Sequence, residues 1–161
     1  MIPRAIKILG MIVGVHLTVV SLLYITGFRP YHIESAGMEP TIARNEFVIG
    51  QLSETYRQHV SRFDIVVYMP PNAPKERYAK RVVGLPGEHV MIDGRGIEID
   101  GKLIDLPVMI NRDGLGIQRA DMTLPRDAVF VLGDNTLKSY DSRYTGPVPL
   151  GNVLGTILFK K

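Results

Sequence analysis

A mainly β fold is predicted, an all-β sandwich or barrel-like domain carried on one N-terminal transmembrane helix. Three observations point there. Residues 8–25 are an apolar run without formal charge, short β-rich runs separated by Gly and Pro follow from Tyr31 onward, and Asp-Gly dipeptides sit where two runs must fold back. Short strands punctuated in this way pack as sandwiches or barrels. A chain of 161 residues has room for one such domain plus a short appendage. The division expected is 1–28 for an N-terminal tip and anchor, and 29–161 for the folded domain.

The anchor reads ILGMIVGVHLTVVSLLYI from Ile8 to Ile25, with His16 as its one ionisable side chain of note. As a helix these residues span ~27 Å, close to the thickness of a bilayer's hydrocarbon core, and Thr26 to Phe28 extend the span. Arg4 and Lys7 precede it, which by the positive-inside rule puts the N-terminus in the cytoplasm and the domain outside. A cleaved signal peptide fits less well, because the run is long and no Ala-x-Ala site follows. A buried soluble helix fits less well again, because the segment is apolar on every face.

The strand runs come in order. Glu46–Gly50 and Phe63–Met69 are the first two, the second closed by Pro70-Pro71. Tyr78–Val83 ends in Gly84-Leu85-Pro86-Gly87, strong turn chemistry. Val90–Ile92, Gly96–Ile99 and Lys102–Ile104 follow, the last two split by Asp100-Gly101, a type I′ hairpin signal, with Asp93-Gly94 as a similar turn. Val129–Leu132 and Val153–Phe159 complete the set. Residues 53–59 read as a short helix or a loop, and 107–123 as a mobile excursion with no clear period.

Composition excludes several functions. Net charge is +3 and no basic block exceeds a pair, which argues against a nucleic-acid face. Without cysteine there is no disulfide, thiolate metal site or thiol nucleophile. His16, His32, His59 and His89 lack ligand spacing, which argues against a metal site.

Four segments stand out: SAGMEPT (35–41), RFDIVVY (62–68), YAKRVVGLPGE (78–88) and VLGDNTLKSYDSRYTGPVP (131–149). In the alternating YAKRVV, Lys80 shares a face with Tyr78 and Val82, and Arg81 shares the other with Ala79 and Val83. Burial on an apolar face lowers a lysine's pKa and makes it a base, although an isolated strand lysine is most often solvated. Ser139 reads on its own as a turn serine. Asp141 and Arg143, two apart, are placed to pair or to hold neighbouring strands. Met38 reads as core filler and Asp64 as a turn or strand-start residue; Glu39 has no assigned role.

In this order the four segments resemble the boxes of type I signal peptidases, membrane-bound Ser/Lys serine proteases that remove signal peptides in protein secretion. The resemblance covers most of the chain, with Lys-Arg-x-x-Gly-Leu-Pro-Gly and Gly-Asp-Asn…Ser-x-Asp-Ser-Arg intact. It implies that Lys80 is the general base, that Ser139 hydrogen-bonds and orients its amine, and that Ser35 supplements the oxyanion hole. It implies that Gly133, Asp134, Asp141 and Arg143 are structural supports. It implies exported preproteins with an Ala-x-Ala preference as substrates, membrane lipid as a neighbour, and no cofactor. Lys138 and Thr136 stand where the family often has asparagine and arginine.

The main departure is Gly37. The family's box runs Ser-x-Ser-Met-x-Pro-Thr, and its nucleophilic serine directly precedes the methionine. Glycine has no oxygen to attack a carbonyl, although its backbone N–H remains available to an oxyanion hole. Three explanations compete: an engineered Ser→Gly, a natural pseudo-peptidase, or takeover by Ser35. In an extended segment Ser35 and Gly37 share a side, but their Cα atoms lie roughly 6.5 Å apart, which disfavours takeover. Retention of every other element favours an inactivated enzyme. Two further readings are a non-catalytic relative that binds signal peptides or pilin subunits for assembly, and the conjugation-type branch that processes pilin precursors. Lys80 argues against the first, and the intact GDN…SxDSR box against the second.

Overall fold

The computed structural model describes residues 3–52, 59–106 and 112–158. Its first element, α1 (Arg4–Ile25), is long and apolar enough to cross a membrane, and none of its residues is buried. The helix ends three residues short of the expected span. Thr26 N–H donates to Leu22 O at 2.9 Å, and Gly27 turns the chain at φ 87°. Phe28 therefore belongs to the β fold. Arg29 ties the two together, with its guanidinium 3.5 Å above the Tyr24 ring and Nη1 donating to Tyr24 O at 2.7 Å.

All strand pairs are antiparallel. The strands are β1 (Phe28–Ile33), β2 (Glu46–Leu52), β3 (Ile65–Tyr68), β4 (Tyr78–Gly84), β5 (His89–Asp93), β6 (Gly96–Ile99), β7 (Lys102–Leu103), β8 (Ala120–Thr123), β9 (Ala128–Leu132), β10 (Val148–Pro149) and β11 (Val153–Ile157). They form a seven-stranded sheet in the order β1-β2-β11-β3-β4-β9-β10 and a four-stranded sheet in the order β7-β6-β5-β8. The mainly β fold behind one apolar helix is therefore the observed architecture.

Strand β3 shows how the larger sheet is covered. Ile65 and Val67 join Ile33, Met38, Ile42, Val48, Ala79 and Ile157 on one face. Val66 and Tyr68 join Val82, Val129, Val131, Val148 and Val153 on the other. A strand buried on both faces reads as a continuous apolar run, as IVVY does. Met38 is thus core filler, as its sequence context implies. The smaller sheet packs Val90, Ile92, Ile97 and Ile99 against Val83, Phe130 and Leu132 at the end of the larger one.

Several sequence expectations change. β1 lies ahead of the first strand run marked in the sequence and carries Pro30; at the sheet edge a proline's missing N–H costs nothing. The excursion at 107–123 contains a 3-10 turn (Arg112–Gly114), a buried Leu115 and β8, which pairs with β5. Residues 107–111 lie outside the described residues, as do 53–58 of the expected helix or loop. Asp100-Gly101 forms the expected hairpin turn with φ of 50° and 75°. The other turn is Gly94-Arg95, one residue later than Asp93-Gly94, between paired Asp93 and Gly96.

At the bulge in β11, a Cβ on Gly155 would overlap Gln51 O and stand 2.9 Å from Leu52 Cα. Gly155→Ala is expected to cost about 1–3 kcal/mol, the usual range for overpacking a core. A lowered denaturation midpoint of the full chain in detergent would show it. Gly151→Ala, where a Cβ meets nothing within 4 Å, is the neutral control.

Candidate active site

Lys80, on the face of β4 opposite Arg81, is 4% exposed. Its amine donates to Ala79 O at 3.2 Å and lies 5.4 Å from the Tyr78 ring centre. Burial lowers its pKa from 10.5 to about 8, against the pull of Asp141 and Asp134, which raise it. The amine is therefore half neutral near pH 8. The unfolded chain would hold that proton up to about pH 10.5, so stability rises with pH between these two values.

Gly37 meets Lys80 from the loop after β1. Residues 35–42 form successive turns, closed by Glu39 N–H on Ala36 O at 3.3 Å and Ile42 N–H on Met38 O at 2.9 Å. The extended geometry assumed when weighing Ser35 against Gly37 is thus replaced by turns. A Cβ on Gly37 would stand 3.4 Å from Lys80 Nζ, 3.5 Å from Lys138 O and 3.5 Å from Ser139 Cα. These are ordinary contact distances, and the backbone of Gly37 lies outside the left-handed region. A Cβ fits here without strain.

Ser139 is buried, and its Oγ has no hydrogen-bond partner among the described residues. The bond to the Lys80 amine implied by the resemblance is not made in this geometry, because the amine turns to Ala79 O instead. Gly133 explains how the segments approach so closely. A Cβ there would overlap both Ser139 Oγ and Gly37 O, so no larger residue leaves room for them.

Two buried arginine forks hold this packing. Arg81, 1% exposed, donates from Nε to Asp134 Oδ1 at 2.8 Å and from Nη2 to Oδ2 at 2.7 Å. Its Nη1 donates to Phe63 O at 2.8 Å, and Thr41 Oγ1 also donates to Asp134. With Asn135 N–H on Gly37 O at 3.1 Å, this fork fixes the loop carrying Gly37 to β4. Arg143 donates from Nε to Asp141 Oδ1 at 2.8 Å and from Nη2 to Oδ2 at 2.9 Å. The remaining donors reach Gly114 O and Thr136 O, both at 2.9 Å. Asp141 also accepts from Gly133 N–H at 3.0 Å and caps the short helix α2 (Ser142–Thr145). The pairing of Asp141 with Arg143 is as read from the sequence. Arg81 was not singled out. Thr136, named only as a departure from the family at an exposed-looking turn, is instead buried, and its hydroxyl accepts from Gly114 N–H at 3.1 Å. The signal for Arg81 was present in its face-sharing with Ala79 and Val83, both buried.

A cavity of about 510 Å³ opens beside the amine, lined by His32–Ser35, Glu76–Lys80, Lys138 and Tyr140. Ser35 stands on its rim, exposed. Along this cavity Tyr78, Ala79 and Lys80 pair with β3 on one side, and pairing with β9 begins only at Arg81.

A mainly antiparallel β fold with a buried, half-neutral lysine beside an open cleft is an arrangement suited to peptide hydrolysis. The family profile described as "Signal peptidase, peptidase S26" matches residues 4–160, and the chain belongs to this family. It is 34% identical to the signal peptidase I of Bacillus caldolyticus over 88% of this chain and 84% of that protein. It is 30% identical to signal peptidase I V of Bacillus subtilis over 81% and 83%, and 30% identical to mouse mitochondrial inner membrane protease subunit 1 over 76% and 63%. A crystal structure of a signal peptidase I from Enterococcus faecalis is similar at a TM-score of 0.51 and 31% identity, covering 60% of this chain and 95% of that one.

Removing one partner of a buried ion pair strands the other. Asp134→Asn is expected to cost about 3–5 kcal/mol, and Arg81→Met with Asp134→Leu distinctly less. Denaturation of the single and double variants in detergent checks the difference.

Proposed function

We propose that this chain is a signal peptidase I-type membrane endopeptidase whose Ser/Lys reaction is interrupted at Gly37. The observation that carries the proposal is that Lys80 Nζ stands 3.4 Å and Ser139 Cα 3.5 Å from where a side chain on Gly37 would begin, with Lys80 also lining the cavity. A hydroxyl at 37 would attack the scissile carbonyl, and Lys80 would take its proton. The N–H of residue 37 and the Ser35 hydroxyl would hold the oxyanion. Ser139, its hydroxyl buried and unpartnered, would orient the amine when it leaves Ala79 O. Asp134, Asp141, Arg143 and Gly133 act as supports. With glycine at 37 the acyl-enzyme route is closed.

The substrate would be the signal peptide of an exported preprotein, bound extended along the half-paired edge of β4 with an Ala-x-Ala preference. No cofactor takes part. In the membrane, α1 would be the single span with Arg4 and Lys7 on the cytoplasmic side, and residues 29–161 the extracytoplasmic domain. On the exposed face of β1 and β2, Phe47 is 73% and Ile49 49% exposed, and His32 stacks on Phe47 at 4.7 Å. Such a patch suits contact with lipid.

The single residue Gly37 also favours a second reading, a peptide-binding module without turnover. Preprotein cleavage by this chain, by Gly37→Ser and by Gly37→Ser with Lys80→Ala separates the two. Strong cleavage is expected only in Gly37→Ser. Its rate should rise with pH through about 8, as the Lys80 amine loses its proton. Peptide binding with no turnover in Gly37→Ser would establish the binding module.

A further inference from the structure

The two walls of the cavity differ in what they can receive. Ile33 and Ala79 line it, and both belong to the buried cluster that holds Met38 and Val67. Close-packed side chains back that wall, so only a small group fits against it without displacing core. Tyr78 and Lys80 lie on the other face of β4, and Tyr140 lines the cavity with them. Tyr140 is 48% exposed, yet it is braced on two sides. Its ring stacks on Tyr144 with 5.3 Å between centroids and 26° between planes. Its hydroxyl accepts from Asn72 Nδ2 at 3.3 Å. Asn72 sits in the turn between β3 and β4, whereas Tyr140 directly follows Ser139, beside the Gly37 loop. The side chain therefore reaches from the Lys80 end of the cleft back towards the start of β4. Tyr78, edge-on to Tyr68 at 6.1 Å, adds to the aromatic surface. None of the bonds of the two arginine forks involves Tyr140.

We propose that Tyr140 is a specificity-determining residue, which packs on a large apolar or aromatic side chain at the middle position of the small-x-small tripeptide ahead of the scissile bond. The inference rests on the cleft being a signal peptide site. A peptide extended along the open edge of β4 puts successive side chains on opposite faces. The two that face Ile33 and Ala79 must be small. The one between them points to the wall of Tyr78 and Tyr140. A half-exposed ring still has apolar surface to bury there, and an aromatic pair adds to what burial alone contributes. Stacking on Tyr144 and the bond from Asn72 hold the ring before any peptide arrives. Little rotamer freedom is then left to lose on binding, which favours affinity.

The test measures binding of two labelled signal peptides to the full chain in detergent, identical except for Phe or Ser at the middle position. Cleavage of the same pair is followed in Gly37→Ser. The starting chain is expected to bind the Phe peptide about three- to tenfold more tightly, as one added aromatic pair allows. Tyr140→Ala should bring that ratio close to one, and Tyr140→Phe, which keeps the ring, should preserve it. In Gly37→Ser the preference should appear in KM and leave kcat alike for the two peptides, because the ring contact is the same in ground and transition states. Equal weakening of both peptides in Tyr140→Ala, with the ratio kept, would give Tyr140 a structural role only and overturn the inference. A ratio near one in the starting chain, beside cleavage by Gly37→Ser, would also overturn it and leave the signal peptidase reading intact. Failure of the starting chain to bind either peptide, with no cleavage by Gly37→Ser, would remove both.

Discussion

The site depends on one constraint, which is that the Lys80 amine must be kept from holding a full-time proton although two carboxylates lie near it. Burial alone would lower its pKa, and Asp141 and Asp134 both oppose that effect. Each carboxylate, however, is engaged by its own guanidinium in a two-point fork, Asp134 by Arg81 and Asp141 by Arg143. Much of their negative field is spent locally, so desolvation prevails at Lys80. In the proposed reaction Arg81 and Arg143 thus act on the amine without touching it. The same forks bring the loops of Gly37 and Ser139 against β4. The same four side chains therefore hold the geometry and temper the carboxylates that oppose the desolvation of Lys80.

Much of this was legible in the sequence, where local rules suffice. β-rich runs bounded by Gly and Pro placed β2 to β7, β9 and β11, and an uncharged run placed α1. Asp100-Gly101 gave its turn because both residues tolerate positive φ. What escaped depends on position within the sheet. Pro30 breaks a strand pattern unless the strand lies at an edge, and edges are decided by topology. Ala120–Thr123 is four residues long with one buried member, so β8 exists through its pairing with β5 more than through its own composition. Arg81 drew no role from sharing a face with Ala79 and Val83, yet β4 is buried on both faces and the charge goes inside with Asp134. In the site, it was the resemblance to the signal peptidase boxes that marked Lys80, Ser139 and Asp141 together. It did not show that residues 35–42 turn, nor that the amine rests on Ala79 O, because both are settled by contacts across the fold.

The retained residues do not all say the same thing about Gly37. The Arg81 and Arg143 forks would be kept whether or not the chain reacts, because losing one partner strands a buried charge. Gly133 would be kept because anything larger collides with Ser139 and Gly37. Lys80 is different. It makes no ion pair among the described interactions, donates one long hydrogen bond to its neighbour's carbonyl, and is desolvated enough to lose more than two units of proton affinity. A buried amine in that condition costs stability and supports no other part of the fold. A leucine or methionine would fill the same space at lower cost. In the proposed reaction this amine is the group that takes the proton, and Gly37 offers it no side-chain oxygen to take one from.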